Sequence, residues 1–170
     1  MIKALLIQLI GAVGYLLLSA SYHRKSKKEI LIIQIFAYLI FAVHFYLLNG
    51  ISGAINNLVG FVGLIAMYLL DNKKKSTKIA ACSIFSIIVI IINIISFQNI
   101  FSIFPMIALI IVIVSFVEDS EGFIRIAGLT SSACWLVYAI RYKSYISMLF
   151  QVIVIVNAFT SLFKKNKKDT

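Results

Sequence analysis

The chain is short of the residues that a water-exposed surface is made from. Only six of its 170 residues are acidic, and charged residues of both signs make up 13% of it. Soluble domains carry about 25%, so a single soluble domain of this length is excluded. Cysteine is also scarce. Cys82 and Cys134 stand far apart without metal-ligand spacing, which excludes a zinc site and leaves two small apolar packing residues. No nucleophile–base pair, metal-ligand cluster or glycine-rich phosphate loop occurs, so the chain offers no catalytic constellation and no cofactor site. No Asp or Glu lies inside any apolar run, which removes the usual carboxylate of proton or sodium coupling.

What is present is apolar. Hydrophobic residues make up 62% of the chain and the mean hydropathy is +1.03. The charges sit in short clusters between apolar runs of about 17 to 21 residues, long enough to cross a hydrocarbon core of roughly 30 Å. Seven spans follow, over 2–21, 30–48, 52–70, 77–97, 101–117, 123–140 and 145–163, and the expected fold is an all-α polytopic membrane protein. The single proline, Pro105, falls near the start of the fifth span, where it reads equally as an ordinary helix start or as a bend. The formal charge of +10 reflects basic residues at helix ends, so it marks topology and lipid headgroups, not nucleic acid. Of sixteen Lys and Arg, thirteen fall on one side of a seven-span arrangement and three on the other: Lys3, Arg141 and Lys143. The positive-inside rule then sets the N-terminus outside and the C-terminus in the cytoplasm.

Two stretches repeat one plan. Ala37 to Ala66 reads as helix, short turn and helix, and so does Ser131 to Thr160, displaced by 94 residues. Phe41 falls under Trp135, the only tryptophan, and Asn57 under Gln151. A three-helix unit over 1–70, a linker helix over 71–100, a second three-helix unit over 101–163 and a basic tail over 164–170 follow. One intervening helix makes the two units run the same way across the membrane, a parallel repeat.

This 3+1+3 pattern resembles that of the SWEET and PQ-loop (MtN3-like) superfamily of small-solute transporters. More closely, the chain resembles the YgjV-type family of bacterial inner-membrane proteins. The segments that carry the likeness are Gln8-Leu9-Ile10-Gly11, Val43-His44-Phe45-Tyr46-Leu47-Leu48-Asn49-Gly50, Asn56-Asn57-Leu58 and Trp135-Leu136-Val137-Tyr138-Ala139-Ile140. The Pro-Gln dipeptide that names the PQ-loop group is absent. In SWEET-type proteins an aromatic on the second helix of a unit and an amide on the third face a central cavity. The resemblance implies that role for Phe41, Asn57, Trp135 and Gln151.

An amide facing lipid would go unsatisfied, so Asn57 and Gln151 are expected to face other helices or a wet cavity. Interhelical glue is the plainer role for either one alone; their matched placement beside aromatics points equally to a ligand site. His44, matched by Tyr138, and Asn157 are candidates for a pathway, with His44 more simply a neutral hydrogen-bonded residue. Asn56 points about 100° away from Asn57 and is expected to be a packing contact. The expected function is facilitated diffusion of a small, mostly uncharged solute by alternating access. The alternative is a non-transporting membrane protein that binds a partner, and a homo-oligomer fits either. The partners expected are that solute and the lipid bilayer; no nucleic acid, metal, cofactor or enzymatic activity is expected.

Overall fold

Uninterrupted runs of Ile, Leu, Val and Phe fold here as helices, the one open-ended structure that pairs its own backbone groups away from water. The computed structural model describes residues 2–22, 27–115, 117 and 121–166, and only the backbone at 22, 27, 121, 122, 124, 125 and 157–166. In chain order the helices are α1 (Ile2–Tyr22), α2 (Lys27–Leu47), α3 (Ile51–Leu69), α4 (Lys75–Ile95), α5 (Ile103–Ser115), α6 (Glu121–Arg141) and α7 (Tyr145–Asn166). Among the described residues there is no strand. Four helices are long and apolar enough to cross a membrane, over Ile2–Ser21, Lys28–Leu47, Ile51–Leu69 and Lys75–Ile95. The other three of the seven expected spans contain shorter apolar helices, Ile100–Ser115, Ile126–Arg141 and Tyr145–Val156.

The fifth span starts differently from a plain helix. A 3-10 turn at Ile100–Ser102 precedes α5, held by a capping box in which Asn99 accepts from the Phe101 N–H at 3.0 Å. Pro105 then falls in the first turn of α5, where its missing N–H leaves no bond unmade. It therefore sits at the helix start, where proline is ordinary.

Helix α2 packs against both α1 and α3, and α6 against both α5 and α7. Helix α4 packs on α5 and α3, and the thinner contacts of α1 with α7 and of α3 with α5 join the halves. Successive helices alternate in direction. The start of α1, the α2–α3 turn, the α4–α5 connection and the α6–α7 turn therefore share one end, here the turn end. The Lys73-Lys74-Lys75 loop lies at the other, the basic end.

The α2–α3 and α6–α7 turns share most of their backbone hydrogen bonds. Asn49 and Lys143 are the two non-glycine residues with positive φ among those described, at 59° and 54°. The Gly50 N–H bonds to Phe45 O at 2.8 Å, and the Ser144 N–H to Ala139 O at 3.0 Å. Ala54 N to Gly50 O at 2.9 Å is repeated as Met148 N to Ser144 O at 3.0 Å. Every one of these positions is displaced by the 94 residues at which the sequence repeats its plan. Asn49 suits the left-handed position because its short amide tolerates it.

Near the turn end α3 and α4 are joined by a polar clasp. Asn56 on α3 donates to Asn93 Oδ1 on α4 at 2.7 Å, and Asn93 Nδ2 donates back to Asn56 Oδ1 at 3.0 Å. Each amide also donates to the carbonyl one turn back, Ser52 O and Val89 O, both at 2.8 Å. Both side chains are buried, so Asn56 is a packing contact as expected. Asn93→Leu is expected to cost about 1–3 kcal/mol, because it leaves the Asn56 amide buried and half-paired. Asn56→Leu with Asn93→Leu together is expected to recover most of that loss. Melting temperatures in detergent of Asn93→Leu, Asn56→Leu and the double variant check this, and additive losses would refute it.

Candidate functional site

Between the halves lies a cavity of about 270 Å³, lined from α1, α2, α3, α5, α6 and α7. Its walls are aromatic on several sides: Tyr15, Tyr38, Phe41, Phe45 and Trp135. Tyr15 is stacked on Phe150 with centroids 4.5 Å apart and tilted against Phe41 at 4.6 Å. Trp135 lies over Phe45, centroids 5.4 Å apart. The polar lining consists of Gln34, Asn57, Ser115, Ser131, Ser132 and Gln151, and no lining residue carries a formal charge. The lining runs from Phe45 and Trp135, beneath the turn end, to Leu18, Gln34 and Ser115 toward the basic end.

All four residues singled out in the sequence (Phe41, Asn57, Trp135 and Gln151) line this one cavity. Asn57 is held in one orientation. Its Nδ2 donates to Gly53 O at 2.8 Å, and a carbonyl can only accept, so the amide cannot be reversed. No fully buried side-chain nitrogen or oxygen among the described residues lacks a partner, so Oδ1 of Asn57, on the cavity wall, keeps some exposure and is left as an acceptor. Gln151 Nε2 lies 3.2 Å from the Tyr15 hydroxyl. That hydroxyl both donates and accepts, so the Gln151 amide can present either end to a ligand. Gln34 reaches Ser21 Oγ at 3.4 Å, on the basic side of the cavity.

The other candidates lie elsewhere. His44 and Tyr138 are fully buried at the turn end, outside the cavity lining. The Nδ1 of His44 is 2.8 Å from Ile7 O, and its Nε2 is 2.7 Å from Ser144 Oγ. Since Ile7 O only accepts, Nδ1 carries the proton, and Ser144 Oγ in turn bonds Ser147. Gly11 makes room for this ring; a Cβ there would stand 2.7 Å from His44 Cε1. The hydroxyl of Tyr138 accepts from Gly53 N at 2.7 Å and meets Ser52 Oγ at 3.0 Å. It therefore caps α3, whose own N-cap, Gly50, makes no side-chain bond. Gly14 on α1 and Gly53, Gly60 and Gly63 on α3 likewise make room for the rings of Phe41, Tyr138, Tyr38 and Phe85. Asn157 lies on α7, but its side chain is outside the described ones.

Two further caps cross between the halves. The Ser52 N–H donates to Gln98 Oε1 at 3.2 Å, and the Tyr142 hydroxyl reaches the same oxygen at 3.3 Å. At the start of α7 the Ile146 N–H donates to Gln8 Oε1 at 3.2 Å, while Gln8 Nε2 donates to Lys143 O at 3.1 Å. Sequence reasoning missed Ser131 and Ser132, although a hydroxyl pair in an apolar helix has to face protein or water. It also missed Tyr15, Tyr38 and Phe45, which no short pattern distinguishes from ordinary core aromatics.

An all-helical, charge-poor chain with long apolar helices around an uncharged internal cavity has the build of an integral membrane protein. The chain belongs to the Imp-YgjV family, described as bacterial inner membrane protein, whose model matches residues 5–169. No curated protein and no solved structure matches it.

Proposed function

We propose that the chain is a SWEET-like facilitator that carries a small, mostly uncharged solute across the bacterial inner membrane by alternating access. In this reading seven spans form two parallel three-helix units joined by α4, with the N-terminus outside and the C-terminus in the cytoplasm. The two turns matched at 94 residues support the repeat, and thirteen of sixteen basic residues on one side support the orientation. The observation that carries the function is the cavity itself, in which Phe41 and Asn57 of one half meet Trp135 and Gln151 of the other.

The lining sets the class of solute. Without a charged partner in the cavity, an ionic ligand would be desolvated at several kcal/mol. Aromatic faces with separate amides and hydroxyls suit a molecule with apolar faces and polar edges. The fixed acceptor on Asn57 asks for an O–H or N–H on the solute. Nothing in the lining performs chemistry on it, and with no carboxylate in the apolar spans the solute runs down its own gradient. Rocking of the two units about the site would open it to each side in turn.

A thermal-shift screen of the protein in detergent, over sugars, nucleosides, vitamins and amino acids, tests this. A ligand of the folded state raises the melting temperature by mass action, by about 2.7 kcal/mol of stability at a hundredfold excess over Kd. A shift is expected for an uncharged, donor-bearing compound and is expected to vanish in Trp135→Ala. No shift across the panel from well-folded protein would favour a non-transporting interaction protein.

A further inference from the structure

At the turn end of the cavity Phe45, Trp135, Tyr138 and Tyr142 pack together, and two helix starts beside them are capped in matching ways. The N–H of Ser52 on α3 and the N–H of Ile146 on α7 occupy equivalent positions, 94 residues apart. Each is an N-terminal helix N–H with no partner in its own helix. Each is met by a glutamine oxygen from a different part of the bundle: Gln98, in the α4–α5 connection, reaches α3, and Gln8, on α1, reaches α7, both at 3.2 Å. Both glutamines are tied a second time, Gln98 to the Tyr142 hydroxyl and Gln8 to Lys143 O. Both second ties fall on the α6–α7 turn. Beside the buried His44–Ser144 and Tyr138–Gly53 bonds, the closure of this end therefore includes two amides that can reach water.

From this geometry we infer that Gln8 and Gln98 are the latches of the cavity's turn end, and that their release is the step that opens it. This inference rests on the transporter reading above. The chemistry of the two amides suits a reversible contact. Gln98 is exposed and Gln8 half-buried, so water can take over each hydrogen bond as it breaks. The Asn56–Asn93 clasp near the same end is the contrasting case, because both of its side chains are buried. The clasp keeps α4 on α3 through the motion, while the glutamines let go. His44 and Tyr138 fill the space behind the latches, which assigns them to the seal instead of the pathway.

The test needs no known solute. Cys82 and Cys134 are replaced by Ala, and Ser132→Cys on the cavity wall reports access to a membrane-impermeant maleimide. Ser76→Cys, exposed at the start of α4, marks which face of right-side-out and inverted vesicles is the basic end. The parent reporter is expected to label from the basic end and only slowly from the turn end. In Gln8→Leu with Gln98→Leu the turn-end rate is expected to rise roughly tenfold or more, the population change that loss of two hydrogen-bonded caps would produce. Gln98→Leu alone, at an exposed connection, keeps the test valid if the double variant does not fold, and is expected to give a smaller rise. Ser83→Leu, exposed on α4 and outside the cavity lining, is expected to leave the turn-end rate unchanged. Basic-end labelling without any turn-end rise in either latch variant would overturn the latch alone. A parent reporter that labels from neither end would overturn the cavity reading and the latch with it.

Discussion

Tyr138→Ala is expected to lower the melting temperature in detergent much further than Tyr138→Phe. The side chain is fully buried at the junction of α2, α3 and α6. It meets Phe45 edge-on at 5.4 Å, Trp135 at 5.9 Å and Tyr142 at 4.6 Å. Removing the ring leaves a void among these aromatics, and truncation of a buried aromatic costs about 3–5 kcal/mol. Lost contacts account for most of this, because inside a membrane packing, and not expulsion of water, holds helices together. Tyr138→Phe keeps the ring and removes only the oxygen that caps α3 through the Gly53 N–H. That change is expected to cost about 1–3 kcal/mol, the penalty of one buried N–H left without a partner. Equal losses in the two variants would mean that the hydroxyl alone holds this junction. Two small losses would mean that Tyr138 is not a keystone of the turn end at all.

The second large effect is expected at the cavity. Once a solute is found, Asn57→Leu with Gln151→Leu is expected to reduce its binding and its uptake into proteoliposomes by at least roughly tenfold, equivalent to about 1.4 kcal/mol. The reason is asymmetric. A site built to bond a donor leaves that donor unpaired and desolvated when its acceptor becomes a methyl group. Asn57→Asp is a sharper probe of polarity. The carboxylate keeps an acceptor for the solute but cannot donate to Gly53 O, so it faces that carbonyl with like charge. It is expected to weaken binding, although the position remains polar. Unchanged uptake in the double Leu variant would remove these amides from the pathway and leave them as interhelical contacts.

Much of the fold is legible in the chain because bilayer thickness and helical rise set the run lengths directly. The turns are legible from Asn49-Gly50 and from Arg141 to Ser144, and the offset of 94 residues aligns them by sequence alone. That same offset brings together Phe41, Asn57, Trp135 and Gln151, which come from four helices and line one cavity. The turn end is not legible. A glutamine at position 8 reads as a polar residue in an apolar helix, and nothing local says that it caps a helix starting more than 130 residues later. His44 and Tyr138 read as pathway candidates in the sequence because they match each other in the repeat. Equivalence by sequence fixes depth along the helix but not the direction faced, and both turn toward packed rings. Ser131 and Ser132 stay hidden for a different reason, since a lone hydroxyl in an apolar helix is more often bonded back to its own backbone.

The uncharged lining of the cavity has an electrical consequence. Moving one elementary charge through a 100 mV membrane potential is worth about 2.3 kcal/mol. No residue of the lining carries such a charge. In the proposed alternating-access cycle, swinging the site from one face to the other moves no lining charge through the field, and a neutral solute adds none. Voltage has nothing to grip, and flux through this protein is expected to be the same in polarised and depolarised vesicles.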